Sequence, residues 1–185
     1  MITVYFGVGA LLVWVGFEFV FRSRGEASSW RRDIRDRAST PVLLLAFAVA
    51  AILPVALRSV SLGSIGQAAW AGVGLCLLGL LVRAWGMLTL GGSYTRTLRT
   101  RSDQRLVTAG PYRWVRHPGY AGSISVWVGA ALAFHSWLAA VIVAALMLFA
   151  YGWRIRTEEQ MLLDHFGDVY RNYAAHTSRL LPGVY

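Results

Sequence analysis

Five apolar runs, separated by polar segments, constrain this chain more than any other feature of its sequence. They cover residues 3–21, 41–57, 67–90, 119–134 and 137–153. A hydrocarbon core about 30 Å thick is crossed by a helix of about 20 apolar residues. Hydrophobic residues make up 56% of the chain, above the about 45–50% that is usual for soluble domains. We therefore predict an all-α, polytopic membrane protein with about five transmembrane helices.

The last two runs are separated only by His135 and Ser136. So short a connection predicts a tight antiparallel helical hairpin near the C-terminus. The fourth run is marginal for a full span, so we expect it to be shortened, tilted or partly re-entrant. Pro41 is well placed as a helix-starting residue at the second run. The first run lacks a basic leading segment and an obvious cleavage site, and we expect a retained helix there.

The basic residues predict the orientation of the helices. The net charge is +9, and all 18 basic residues are arginine. They are dense after the first, third and fifth runs, whereas Arg58 alone lies between the second and third and none lies in the hairpin turn. The positive-inside rule then places the N-terminus outside and the C-terminus in the cytoplasm of a cell (inner) membrane protein. Arginines placed in this way also argue against nucleic acid as a partner.

We predict one integral membrane domain over residues 1–185, with three transmembrane helices in residues 1–90 and a catalytic region in residues 91–185. Glu18 and Arg83 interrupt the apolar runs near their predicted cytoplasmic ends. Each could extend its charge to the membrane surface, or the two could pair between helices.

Glycines in the third run form a second feature with two interpretations. Gly72, Gly74 and Gly79 could allow close helix packing, or they could reflect only the ordinary composition of membrane helices. Cys76 lies in the same run and is the only cysteine of the chain. We expect it to be a small packing residue.

Two polar segments, residues 91–122 and 153–182, flank the hairpin at both ends. Folding the hairpin brings them together, which predicts one composite cytoplasmic site. Pro118 suits the first turn of a helix, and the N–H groups that follow it would be free to favour an anion. His117 is either a hydrogen-bond donor to a ligand or a helix cap.

Arg154 and Glu158 are four residues apart and share a helical face. They form either a solvated ion pair or a site in which the arginine holds a carboxylate. The four histidines show no zinc-type spacing, and HExxH, GxSxG, P-loop and GxGxxG motifs are absent. We therefore expect no metal and no Rossmann-type cofactor.

RLVTAGPYRWVRHPGYAG (105–122) and RIRTEEQMLLDHFGDVYRNY (154–173), in this order around one hairpin, resemble the isoprenylcysteine carboxyl methyltransferase family. The resemblance covers about residues 88–182 and implies an integral membrane enzyme that uses S-adenosylmethionine. The family's roles fall on matching positions, with Arg154 handling the methyl-accepting carboxylate and Glu158 also catalytic. The residues expected to bind the cofactor are Gln104, Leu106, Val107, Tyr112, His117, Pro118, Gly119, Tyr120 and Glu158.

Three alternatives remain at this point. A slip of the alignment by two would replace Arg154 by Arg156 and leave the glutamate role between Glu158 and Glu159. The function could instead be that of an NADPH-dependent membrane reductase acting on steroids or enones, or of a non-catalytic lipid-binding membrane protein. The chain is shorter than the eukaryotic enzymes of this family, has five predicted spans, and contains arginine but no lysine. These features are typical of a prokaryotic member. We expect the acceptor to be a small lipophilic acid or a phenol-like molecule, reached from the membrane lipids.

Overall fold

The computed structural model describes residues 2–24, 39–57, 60, 66–91 and 106–183. Its regular structure is helical, which confirms the all-α prediction. One turn of 3-10 helix at Gly110–Arg113 precedes the fourth helix. The helices are α1 (Ile2–Arg24), α2 (Ser39–Ala56), α3 (Gly66–Leu90), α4 (Pro118–Ala133), α5 (Trp137–Phe166) and α6 (Asp168–Ala175).

Of the described helices, α1, α2, α3 and α5 are long and apolar enough to cross a membrane. Helix α4 has 16 residues, which is about 24 Å of helix, less than the hydrocarbon thickness. It packs against α3, α5 and α1, and Val126 and Ala131 in its middle are fully buried. The polytopic membrane fold is confirmed, and the count of five full spans stays a prediction.

Helices α4 and α5 form the predicted hairpin. His135 in the turn has a φ of 63°, and the Ser136 hydroxyl caps α5 by accepting from the Ala139 N–H at 3.2 Å. Helix α2 begins at Ser39, so Pro41 lies within its first turn and not at its first residue.

The apolar run ends at Trp153, but α5 continues well beyond it, to Phe166. The residues after Trp153 include no glycine or proline before Gly167, which has a φ of 55°. The helix therefore extends beyond the apolar run and carries the second polar segment on its own continuous backbone.

The closest helix contact is between α3 and α4, where two pairs of glycines face each other. A Cβ added to Gly79 would lie 2.6 Å from the Gly122 carbonyl oxygen, and one added to Gly72 would lie 2.6 Å from that of Gly129. These distances leave no room for a side chain, so the backbones touch. Gly72 and Gly79 therefore match the close-packing interpretation, whereas Gly74 does not, because a Cβ there would meet nothing within 4 Å.

A buried polar network connects α1, α3 and α4. Arg83 is 4% exposed and forms an ion pair with Glu18, so the pairing alternative is the one found. The same guanidinium donates to the Gly119 carbonyl at 3.0 Å and to the Ser123 hydroxyl. Trp14 also donates to the Ser123 hydroxyl, at 3.0 Å. Side chains of α1 and α3 thereby contact the first two turns of α4.

Replacing Gly79 by alanine tests the glycine contact. The added methyl group would overlap the α4 backbone, and overpacking of this kind costs about 1–3 kcal/mol. We expect Gly79→Ala to lower the thermal unfolding temperature in detergent, whereas Gly74→Ala should leave it unchanged because its methyl group enters open space. Equal unfolding temperatures for the two variants would contradict this packing.

Candidate active site

Three parts of the chain meet beside the start of α4. They are the residues leading into α4, the polar half of α5, and the C-terminal segment after α6. Because α5 is continuous, Arg154 and Glu158 lie one turn apart on the same side of that helix. Folding of the hairpin brings both of them to His117 and Tyr120, as the flanking polar segments predicted.

The Tyr120 hydroxyl lies between the two residues predicted to be catalytic. It accepts a hydrogen bond from Arg154 Nε at 2.9 Å and donates one to Glu158 Oε2 at 2.7 Å. Arg154 is buried, at 5% exposure, so its charge needs such polar partners. The pair is therefore part of a hydrogen-bonded bridge that is buried at Arg154 and partly exposed at Glu158, and it does not match the solvated ion pair that was the alternative.

His117 is buried and its ring stacks on Tyr120, with the planes 5° apart. Its Nδ1 lies 3.8 Å from Glu158 Oε2, and its Nε2 lies 3.5 Å from Glu159 Oε1. Although His117 occupies the N-cap position of α4, its side chain makes no capping hydrogen bond. Of the two predicted roles, capping by the side chain is thus not what the structure shows.

Pro118 is the first residue of α4, as predicted. The expectation of a free N–H at Tyr120 was wrong, because that group donates to the His117 carbonyl at 3.1 Å. The His117 carbonyl folds over the first turn and also accepts from Ala121 at 3.1 Å. At Gly119, an added Cβ would meet only Arg83 Nη1, at 4.0 Å, so space remains beside this backbone.

Tyr112, in the 3-10 turn before α4, is also buried. Its hydroxyl donates to the Gly86 carbonyl at 3.4 Å. Burial raises the pKa of Tyr173 to about 12 although the Arg116 charge lowers it in part, so this phenol stays protonated and donates to the Tyr112 carbonyl at 2.7 Å. Tyr112 is therefore held between α3 and α6.

The remaining predicted cofactor residues precede this turn. Leu106 and Val107 are half-buried in an irregular segment, and Gln104 lies outside the described residues. Within the ranges that the structure describes, no group of three or more His, Cys, Asp or Glu residues could hold a metal ion.

Sequence reasoning missed a cluster of charges around Glu159. Arg116 Nε donates to Glu159 Oε1 at 2.9 Å, and Arg179 Nε donates to Oε2 at 3.0 Å. Glu159 was considered only as an alternative to Glu158. The repeated arginines of both polar segments were the available signal, but nothing in the spacing indicated which of them meet.

The C-terminal segment is joined to the residues before α4 by backbone pairing. Arg116 N–H donates to Ser178 O at 2.8 Å and His117 N–H to Arg179 O at 3.0 Å. The Arg116 side chain adds hydrogen bonds to Ala174 O, at 2.8 Å, and to Thr177 O. The tail after α6 therefore determines where the backbone of His117 lies.

The two alignments that differ by two residues place their arginines in different surroundings. Arg154 is buried and contacts Tyr120, whereas Arg156 is exposed. Glu158 contacts the Tyr120 hydroxyl, whereas Glu159 pairs with Arg116. These contacts favour Arg154 and Glu158 for the functional roles, which stay predictions.

Comparison with known proteins supports the family resemblance found in the sequence. A family model described as the isoprenylcysteine carboxyl methyltransferase (ICMT) family matches residues 72–164. The chain is 30% identical over 181 residues to a probable protein-S-isoprenylcysteine O-methyltransferase of Oryza sativa subsp. indica, covering 95% of this chain and 93% of the relative. The similarity thus extends well beyond residues 88–182 into the N-terminal helices.

Two further matches cover less of their proteins. A protein-S-isoprenylcysteine O-methyltransferase of Saccharomyces cerevisiae is 35% identical over 101 residues, which are 54% of this chain and 42% of the relative. A solved structure of the eukaryotic intramembrane Ras methyltransferase ICMT superposes with a TM-score of 0.67 at 25% identity, over 78% of this chain. The match covers 53% of that protein, so the chain spans about half its length. These matches do not support the reductase or lipid-binding alternatives.

Arg116→Gln tests whether the charge cluster holds the tail. Breaking a buried ion pair by removing one partner costs about 3–5 kcal/mol, so residues 176–183 should exchange their amide hydrogens markedly faster in this variant. Arg171→Gln is the matched control, because Arg171 pairs with Asp168 on the surface, where the two side chains are 72% and 90% exposed. Unchanged hydrogen exchange in Arg116→Gln would contradict the assigned role of this residue.

Proposed function

The chain belongs to the isoprenylcysteine carboxyl methyltransferase family and is an integral membrane methyltransferase, and we propose that it methylates a lipophilic carboxylate with S-adenosylmethionine at the Tyr120 cluster. The observation that carries this proposal is the bridge from buried Arg154 through the Tyr120 hydroxyl to Glu158. It joins a residue suited to an acceptor carboxylate to a residue suited to the cofactor.

The residues near the start of α4 fit a cofactor of this kind. Space remains beside Gly119. Glu158 is a partly exposed carboxylate, and its oxygens can accept hydrogen bonds from hydroxyl or ammonium groups. When bound, S-adenosylmethionine supplies a methyl group on a positively charged sulfur. The residues proposed to hold it are Gln104, Leu106, Val107, Tyr112, His117, Pro118, Gly119, Tyr120 and Glu158.

Arg154 is proposed to orient the acceptor. An ionised carboxylate is already nucleophilic, so the site needs no general base. In-line transfer to it depends mainly on positioning and on exclusion of water. The guanidinium plane can hold two carboxylate oxygens in a defined orientation. Arg154 must stabilise the transition state more than the bound carboxylate, since equal stabilisation of both would not accelerate transfer.

The proposed acceptor is a lipophilic molecule that enters laterally from the bilayer, while the water-soluble cofactor enters from the cytoplasm. A small lipophilic acid is the narrower proposal. The length of the chain no longer supports it, because the rice relative is matched over 93% of its own length. The names of the relatives make a prenylated cysteine the competing acceptor, and an assay must include both classes.

The proposed topology has the N-terminus outside and the site on the cytoplasmic face of the cell membrane. The arginine-rich segments of the sequence support it through the positive-inside rule. Arg116 and Arg179 contact Glu159, and Arg154 contacts Tyr120, all near the point where α4 begins and the apolar part of α5 ends. In this arrangement residues 91–185 form the catalytic region.

A methyl-transfer assay with labelled S-adenosylmethionine tests the proposal directly. The full chain in lipid nanodiscs should methylate lipophilic carboxylates, and a panel of fatty acids, farnesylated cysteine and lipophilic thiols and phenols would define the acceptor class. Absence of turnover on every carboxylate of this panel would contradict the proposed function, even if a thiol or phenol were methylated. Thermal stabilisation by NADPH and not by S-adenosylhomocysteine would contradict it independently.

Arg154→Gln tests the role of the buried arginine. Removing one partner of a buried charge pair between enzyme and ligand costs about 2–5 kcal/mol, so kcat/KM for the carboxylate should fall by more than about 30-fold. Arg156→Gln is the matched control, because Arg156 lies two residues away and is exposed. Loss of activity in Arg156→Gln with retention in Arg154→Gln would favour the slipped alignment and contradict this assignment.

A further inference from the structure

The first two residues of α2 reach the candidate site from the N-terminal part of the chain. Arg154 Nη1 donates to the Thr40 hydroxyl at 3.2 Å and to the Ser39 hydroxyl at 3.5 Å. Ser39 is fully buried, and Thr40 is half-buried. More than a hundred residues separate these hydroxyls from Arg154 in sequence, so only the tertiary fold joins them.

Helix α2 packs against α5, the helix that carries Arg154. Two turns into α2, the Phe47 ring stacks on Trp127 with centroids 5.3 Å apart and lies 6.2 Å from the Tyr151 ring. Tyr151 precedes Arg154 by one turn of α5. The hydroxyl contacts therefore lie at the end of a packed aromatic interface.

The contacts at Nε and Nη1 define the orientation of the guanidinium. This group is planar and rigid, so hydrogen bonds at two of its nitrogens determine the direction of the plane. Tyr120 meets Nε, and Thr40 with Ser39 meets Nη1. Hydroxyl groups are neutral, so they orient the arginine without cancelling the charge that attracts a carboxylate.

We infer that Ser39 and Thr40 are positioning residues for Arg154, so that the first turn of α2 belongs to the acceptor side of the site. The inference rests on the proposed function. It extends the site beyond residues 91–185, since α2 lies in the part of the chain where only membrane helices were expected. The rate of methyl transfer depends on the position of the acceptor carboxylate, and displacing it by about 1 Å can lower the rate about a hundredfold.

Thr40→Val tests the inference, because valine keeps the shape of threonine and removes the hydroxyl. In nanodiscs with labelled S-adenosylmethionine and the best lipophilic carboxylate, we expect kcat/KM for the acceptor to fall about tenfold, equivalent to about 1.4 kcal/mol. The double variant Ser39→Ala/Thr40→Val should fall further. The KM for S-adenosylmethionine and the affinity for S-adenosylhomocysteine should stay within twofold of the wild type.

Two comparisons separate positioning from a merely structural role. Thr40→Ser restores a hydroxyl and should keep near wild-type activity. Ser125→Ala is the matched control, because the Ser125 hydroxyl donates only to the Ala121 carbonyl in its own helix among the contacts that the structure describes. It should leave both kinetic constants unchanged.

Equal activity of Thr40→Val and wild type would overturn the inference. So would an equal loss in Thr40→Ser, or a loss that appears in the cofactor KM as strongly as in the acceptor constants. These results all require an active wild-type chain. A wild type that methylates no carboxylate would instead contradict the proposed function, and with it the inference that depends on it.

Discussion

At Gly72 and Gly129, and again at Gly79 and Gly122, the backbones of α3 and α4 touch with no side chain between them. Within a bilayer, close packing of this kind drives helix association, because lipid offers apolar side chains as good an environment as another helix does. The line of contact continues along α3 to Gly86, where an added Cβ would lie 3.3 Å from Pro118. The first turn of α4 is thus placed by backbone contact, and His117 and Tyr120 are placed with it.

Three buried or nearly buried arginines then connect this first turn to distant parts of the chain. Arg83 joins the Gly119 carbonyl to Glu18 of α1, and Arg116 joins the approach to α4 to the C-terminal tail. Arg154 joins Tyr120 to the start of α2. A buried charge is costly without polar partners, so each arginine constrains every segment that supplies its partners. The site consequently depends on described segments from α1 to the C-terminal tail.

Several features could be predicted from sequence because they depend on neighbouring residues. The short turn at His135 predicted the hairpin, and the hairpin predicted that the two polar segments meet. The apolar run does not mark the end of α5, because apolar composition reflects the membrane and not the length of a helix. The glycines of α3 left two interpretations open, because composition does not show which side of α3 faces α4. The N–H of Tyr120 was misjudged because the backbone of His117 turns back over the helix start.

The sequence by itself determined the class of the protein, since runs of apolar residues and flanking arginines respond to the bilayer whatever their partners. The two motif blocks also determined the family. Only the tertiary structure decided which polar groups meet: Tyr120 between Arg154 and Glu158, Arg116 with Glu159, and the α2 hydroxyls with Arg154. Such pairings join residues far apart in the chain and depend on how helices pack, and no local spacing encodes that packing.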